Sequence, residues 1–200
     1  MPFVLEPESY VDDVTLDGDD LTGQDGTDAR LDGCRWRGVR LDEVVLRRAR
    51  LSDTALDTVS ATTLDVTSGD WLDVVVRDSR LGGMPAFDAD WRRVRVTGGK
   101  IDYLNLRDAR LTDVTFDGVT IGELDLTGAR ATKLVLRDVT VRELVVDRAT
   151  LSGADLTGLA TGALRVLRGV SGLRGARITG SQSLDLLPAL TDHVGLVVDE

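Results

Sequence analysis

The side chains able to do chemistry are mostly carboxylates. The 200-residue chain carries 34 Asp and Glu against 24 Lys and Arg, a net charge of −10. His193 is the only histidine, which excludes a His-based triad and any multi-His metal site. It falls near the C-terminus of an apolar-periodic segment and reads as a surface residue. Cys34 is the only cysteine, so no internal disulfide forms; it falls on an inward position and reads as a small core residue. Asp17-Gly18-Asp19-Asp20 opens like a calcium loop, but Leu21 stands at the third ligand position and no glycine follows it. No Gly-rich phosphate loop of either standard spacing is present. The many acids read as solvated surface rather than as a paired-carboxylate glycosidase site. These residues predict no catalytic group, no metal, no cofactor and no enzyme. The charge instead predicts a kind of partner. An acidic surface repels a phosphate backbone, so direct nucleic-acid binding is not expected. A basic protein that itself handles DNA is the fitting partner. Arg47-Arg48 and Arg92-Arg93 add positive charge, as ladder partners for acids or as a source of partner specificity.

What must position these charges is a repeat. Every fifth residue from Leu16 to Val166 gives 31 positions, and only Gly26, Ala61, Ala86, Ala131 and Thr161 are not large and apolar. A period of five fits neither the 3.6 of a helix nor the 2 of a strand. A second, earlier apolar position lies two residues before each centre. Two inward side chains separated by one outward residue make a minimal strand, and the remaining two residues turn the chain. The earlier position itself repeats every twenty residues. One series is small: Ala29, Ala49, Gly69, Ala89, Ala109, Ala129, Ala149. Another is large: Val44, Leu64, Met84, Leu104, Leu124, Leu144, Leu164. Twenty residues per turn means four pentapeptides per coil and a four-sided cross-section, in which like environments stack. Outward, Asp17, Arg37, Asp57 and Arg77 predict a ladder of alternating charge about 4.8 Å apart.

Ala154-Asp155-Leu156-Thr157-Gly158 fits the pattern Ala-Asp/Asn-Leu-x-x, and Ala29-Arg30-Leu31, Ala49-Arg50-Leu51 and Ala109-Arg110-Leu111 fit its two apolar positions. In this the chain resembles the pentapeptide-repeat proteins, over about three-quarters of its length. The resemblance implies an all-β solenoid, a right-handed quadrilateral parallel β-helix, closed by a C-terminal helical cap. Leu at the earlier position is larger than the family usually carries, so that wall is expected to bulge.

Residues 1–178 are expected to form the β-helix with an acidic N-terminal cap. Residues 179–200 are expected to form a helix and tail that cap the coil and dimerise it. Up to Asp28 the chain has nine acids and no Lys or Arg, a charge of −9, so the rest sums to −1. Such an end blocks end-to-end polymerisation or docks a partner. Gly82-Gly83-Met84-Pro85 predicts a local bend, because proline cannot donate a ladder bond. The five-residue phase is lost after Val166. Ser181 to Val194 reads as a helix capped by Ser181 or Ser183, with Leu184, Leu187, Leu190 and Val194 on one face, a break near Pro188 and a stop at Gly195. Leu196, Val197 and Val198 read as a short strand. The apolar residues from Leu184 to Val198 are the expected dimerisation surface.

Members of the resembled family with this length and cap bind type II topoisomerase and protect it from quinolones or natural gyrase poisons. The resemblance therefore implies a DNA-mimicking homodimer that engages DNA gyrase; without the projecting loops of the plasmid quinolone-resistance members, the chain looks closer to the loop-free mycobacterial type than to them. About eight coils make a rod of roughly 37 Å, and a dimer of about 75 Å matches about 22 base pairs. The expected contacts are Asp17, Asp19, Asp20, Asp25 and Asp28 at the N-terminal end and Asp65, Asp88, Asp108 and Asp125 along the rod. The alternative is a structural or protein-interaction module with an unrelated partner. A single cysteine and an N-terminus without a basic, apolar export signal predict a cytoplasmic protein. No apolar run approaches the ~18 residues of a membrane span.

Overall fold

In the computed structural model, which describes residues 3–196, the pentapeptides wind into a four-sided parallel β-solenoid. Its first wall stacks the strands Tyr10–Asp12, Arg30–Asp32, Arg50–Ser52, Asp70–Leu72 and Asp90–Arg92. The second stacks Thr15–Asp17, Arg35–Arg37, Ala55–Asp57, Val75–Arg77 and Arg95–Thr97. Two longer strands, Arg110–Asp117 and Arg130–Arg137, run along both walls. The third wall holds Ser60–Asp65, Arg80–Pro85, Lys100–Asn105, Thr120–Asp125 and Thr140–Val145, whose ends turn onto the fourth. Apart from these ends and the two-residue strand Val44–Val45, the fourth wall is built largely of turns. Pairing is parallel with an offset of twenty, as in Leu31↔Leu51, Val76↔Val96 and Ile101↔Ile121. The predicted coil length is thus the observed one.

The corners explain much of the composition. The residue two after each centre takes left-handed backbone on most walls. Seventeen non-glycine residues have φ between 43° and 61°, and nine of them are Asp. Asp tolerates this conformation better than most side chains, because its carboxylate bonds locally. Many of the acids are therefore there to turn the chain. Residues 63, 83, 103, 123 and 143 are not left-handed, and six-residue strands run through that corner. This is the corner that precedes Leu64, Leu104, Leu124 and Leu144. The expected bulge is replaced by a corner that lets these larger side chains point fully inward, where all are buried.

The expected bend at Gly82–Pro85 is also replaced by regular structure. Arg80–Pro85 keeps register with Lys100–Asn105 through Pro85↔Asn105. Pro85 still accepts from the Val66 N–H at 2.8 Å and lacks only its own donor. Gly82 is required by close approach, since a Cβ there would lie 2.4 Å from the Thr62 carbonyl oxygen.

The interior is continuous and apolar, from Leu5 to Leu159. Cys34 is buried, and desolvation pushes its thiol above the ordinary value. Trp71 and Trp91 stack in register on the first wall, ring centroids 4.8 Å apart and 10° from parallel. The indole N–H groups of Trp36, Trp71 and Trp91 are buried without an acceptor.

The phase is lost earlier than the sequence suggests. Val139 still pairs with Leu159 at the usual offset, but Leu144 pairs with Leu167, three residues further. A 3-10 turn at Thr161–Ala163 takes up the extra residues, so Val166 is not an inward centre and is only half-buried. The helix is broken near Pro188, as expected, into α1 (Gly180–Asp185) and α2 (Leu187–Val194), with the break at Leu186. Neither Ser181 nor Ser183 is the cap of α1. Thr179 is, in a reciprocal box with Gln182: Thr179 Oγ1 accepts from the Gln182 N–H at 3.2 Å, and Gln182 Oε1 accepts from the Thr179 N–H at 2.7 Å. The buried Gln182 amide also donates to the carbonyls of Leu156 and Leu159 at 2.9 and 2.7 Å, which pins the cap to the last coil. Gly195 closes α2 in left-handed conformation, as expected.

Candidate partner-binding surfaces

The acidic end is built on the first coil. Asp17 and Asp19 make no ion pair among the described residues; the Asp17 N–H donates to Asp19 Oδ2 at 2.9 Å. Asp20 accepts from the Thr22 hydroxyl and N–H at 2.5 and 2.9 Å, and these bonds hold its carboxyl below the ordinary value, with Arg40 adding a weaker pull at 3.4 Å. Asp25 is lowered in the same way by Thr27. Asp28 is gripped by both nitrogens of the Arg48 fork, at 2.8 and 2.6 Å, and is lowered by that contact. Both arginines come from the second coil, since none lies in the first. The field of the uncompensated acids pushes the exposed Tyr10 hydroxyl upward, Asp12 contributing most.

The mid-rod acids do not form one surface. Asp65 and Asp125 share the fourth wall, but both are engaged within it. Asp65 is bound by Arg47 Nε at 2.7 Å and its side chain is 13% exposed. Asp125 is 6% exposed, accepts from the Thr127 N–H at 2.9 Å and faces Arg107 Nε at 3.8 Å. A buried carboxylate cannot stand in for an exposed phosphate, so these two leave the expected set. Asp88 and Asp108 are exposed, yet each is a left-handed corner residue with φ of 56°. On the second wall the predicted ladder forms in part: Arg77 binds Asp57 at 2.7 Å, and Arg137 binds Asp117 at 3.1 Å. Arg93 likewise binds Asp73, both contacts at 2.6 Å. Arg47, Arg48, Arg92 and Arg93 are thus all ladder partners of carboxylates.

At the other end the cap leaves apolar surface open. Leu184 is 71% and Val194 69% exposed, and Leu187 and Leu196 are also exposed. Leu190 departs from the expected stripe. It is half-buried and lines a groove with Leu186 and Ile178. The buried anchor is Leu186, which the sequence reading passed over because it stands at the helix break. Val197 and Val198 lie outside the described residues. Among those residues no group of metal-ligating side chains comes together, and no helix is long and apolar enough to cross a membrane.

A family model for pentapeptide repeats matches the chain in eight copies, at residues 27–60. No curated protein matches. Among solved structures, HetL, a pentapeptide repeat protein involved in heterocyst differentiation regulation in Nostoc sp. strain PCC 7120, is 20% identical with a TM-score of 0.27, over 86% of this chain and 90% of that one. Full-length QnrB1, a plasmid-mediated fluoroquinolone resistance protein, is 13% identical with a TM-score of 0.38, over 90% of this chain and 96% of that one.

Proposed function

Because the chain belongs to the pentapeptide-repeat family, we propose that it is a non-enzymatic cytoplasmic binding protein whose acidic N-terminal end engages the basic DNA-handling surface of a type II topoisomerase, DNA gyrase first among them, and shields it from quinolones or natural poisons. The observation that carries this reading is the first coil. Seven of its nine acids, Asp17, Asp19 and Asp25 among them, have no ion-pair partner among the described residues. Exposed, uncompensated carboxylates on a rigid edge are what a basic saddle attracts. The reading is narrower than mimicry along the whole rod. Asp65 and Asp125 are engaged internally, and the contact set is Asp17, Asp19, Asp20, Asp25 and Asp28, with Asp88 and Asp108 as the exposed remainder. The same internal pairing favours the second reading, an interaction module for an unrelated partner. A supercoiling assay with purified gyrase decides between them. Titrating the protein should inhibit supercoiling or restore it in ciprofloxacin; no effect on either would give the interaction module first place.

The exposed cap residues Leu184, Leu187, Val194 and Leu196 support a homodimer through the C-terminal end, with Val197 and Val198 as its proposed extension. Several large apolar side chains close together at one end of a rod favour burial against a second copy. Sedimentation at tens of micromolar should show a dimer, and removal of residues 181–200 should give monomers or uncontrolled aggregates. A full-length monomer at that concentration would exclude the dimer.

A further inference from the structure

The ladder ends at the first coil, and the walls end it differently. On the first wall the N–H one residue before each centre donates to the coil before it: Arg30 to the Ser9 carbonyl at 2.8 Å, Arg50 to Ala29 at 2.9 Å and Asp70 to Ala49 at 3.0 Å. Tyr10 stands at the same position with no earlier coil, and its N–H has no acceptor among the described residues. A parallel strand bonds its two neighbours through alternate residues, so Asp12 turns its main-chain groups the same way. On the other three walls a first-coil carboxylate already holds a main-chain N–H. Asp19 takes that of Asp17 at 2.9 Å, Asp20 that of Thr22 at 2.9 Å and Asp25 that of Thr27 at 2.8 Å. Tyr10–Asp12 is therefore an open strand edge, with Asp12 exposed and Tyr10 66% exposed.

An open edge is a template for another strand. A second copy does not fit it. The far end of the rod is no edge, because Gln182 pins the helical cap over the carbonyls of Leu156 and Leu159. Two N-terminal ends would each bring the −9 charge of residues 1–28. The charges beside the edge select the occupant. Glu8, Asp12 and Asp13 are exposed and make no ion pair among the described residues. Arg35 is bound to Asp53 at 3.3 Å, which leaves Arg30, in register with Tyr10, as the one cation of this wall on the first two coils. The acids outweigh it: the Tyr10 hydroxyl is raised, first by Asp12, with Asp32 and Asp13 adding and Arg30 opposing.

We propose that Tyr10–Asp12 takes up an extended basic segment of a partner protein as an added strand, its main chain paired with Tyr10 and Asp12 and its cations set among Glu8, Asp12 and Asp13. The inference rests on the reading that the acidic end engages a basic partner, and it names how. Strand addition draws affinity from main-chain bonds and specificity from alternate side chains. Val11 points inward between the outward Tyr10 and Asp12. An added strand in register therefore alternates, with cations outward and a small apolar residue facing the end of the core. The exposed Tyr10 ring gives the stem and charge of an outward lysine or arginine a face to lie on.

The test uses the full chain and a rhodamine-labelled peptide, Lys-Val-Lys-Val-Lys, read by anisotropy at low salt. The wild type should bind it saturably. Asp12→Asn with Asp13→Asn should weaken binding about tenfold, and asparagine keeps the left-handed corner at residue 13. Tyr10→Pro removes the open N–H, and Tyr10→Ala removes the ring alone; the proline variant should bind about fivefold more weakly than the alanine one. Pro85 already occupies the same position of the repeat inside a strand, so Tyr10→Pro should melt near wild type. The same peptide N-methylated at every internal nitrogen keeps its charge and loses its donors, and it should bind at least about fivefold more weakly to the unaltered protein. No saturable binding by the wild type, equal binding by the two Tyr10 variants, or equal binding of the N-methylated peptide would overturn strand addition. The last two results would leave a charge-driven acidic end in place, and the supercoiling assay judges the gyrase reading separately.

Discussion

Leu106→Asp is expected to leave the chain unfolded at 25 °C. Leu106 is a centre of the fourth wall and wholly buried, its N–H bonded to the Asp125 carbonyl at 2.8 Å on the next coil. Its replacement forfeits roughly 2–3 kcal/mol of apolar burial. The new carboxylate finds no cation inside the coil. It must be buried as a charge or taken up as a proton, at a further cost of several kcal/mol. A domain stable by about 5–15 kcal/mol does not survive both. A solenoid is especially exposed to such damage, because each coil touches only its neighbours and a broken middle coil separates the two halves. Circular dichroism and a thermal melt read the outcome. A wild-type melting curve would mean that Leu106 does not point inward and that the five-residue assignment is wrong.

Trp91→Ala is the second large effect, and it tests the packing rather than the phase. Trp91 is wholly buried and stacks on Trp71 one coil above. Truncation to alanine costs about 3–5 kcal/mol through the cavity it leaves, with the lost stack adding about 1 kcal/mol. For a chain of this size that lowers the melting temperature by roughly 8–20 °C. Trp91→Phe should cost much less. It keeps a ring on Trp71 and removes an indole N–H that has no acceptor, a group whose burial is itself unfavourable. Equal losses for the two variants would show that the stack contributes nothing.

The repeat made most of the fold legible. An unbroken register from Leu16 onward states which residues point inward, and the alternation of small and large earlier positions states the number of sides. Both follow from stacking, which puts residue i beside residue i+20 and so writes the third dimension into the sequence. The register slip at Thr161–Ala163 was displaced to Val166 because several apolar residues there fit either phase. The acids were harder. Asp at a corner, Asp on a ladder and Asp at an interface are the same letter, and only geometry separates Asp88, which turns the chain, from Asp125, which is buried, and from Asp17, which is free. The signal for the corner role was present, since Asp and Gly recur two residues after the centres, but a carboxylate read as charge hides its backbone role.

The central claim is that charge at the first coil selects a DNA-handling partner. The most direct measurement is the affinity of the protein for purified gyrase as salt is raised and as duplex DNA is added, for the wild type and for a variant with Asp17, Asp19, Asp20, Asp25 and Asp28 changed to Asn. Exposed charges are screened beyond about 10 Å at 0.1 M salt, so wild-type binding should fall steeply across that range. Duplex DNA should compete with it, and the variant should bind at least about tenfold more weakly at every salt concentration while melting like the wild type. Binding that ignores salt, DNA and the five substitutions alike would contradict the account.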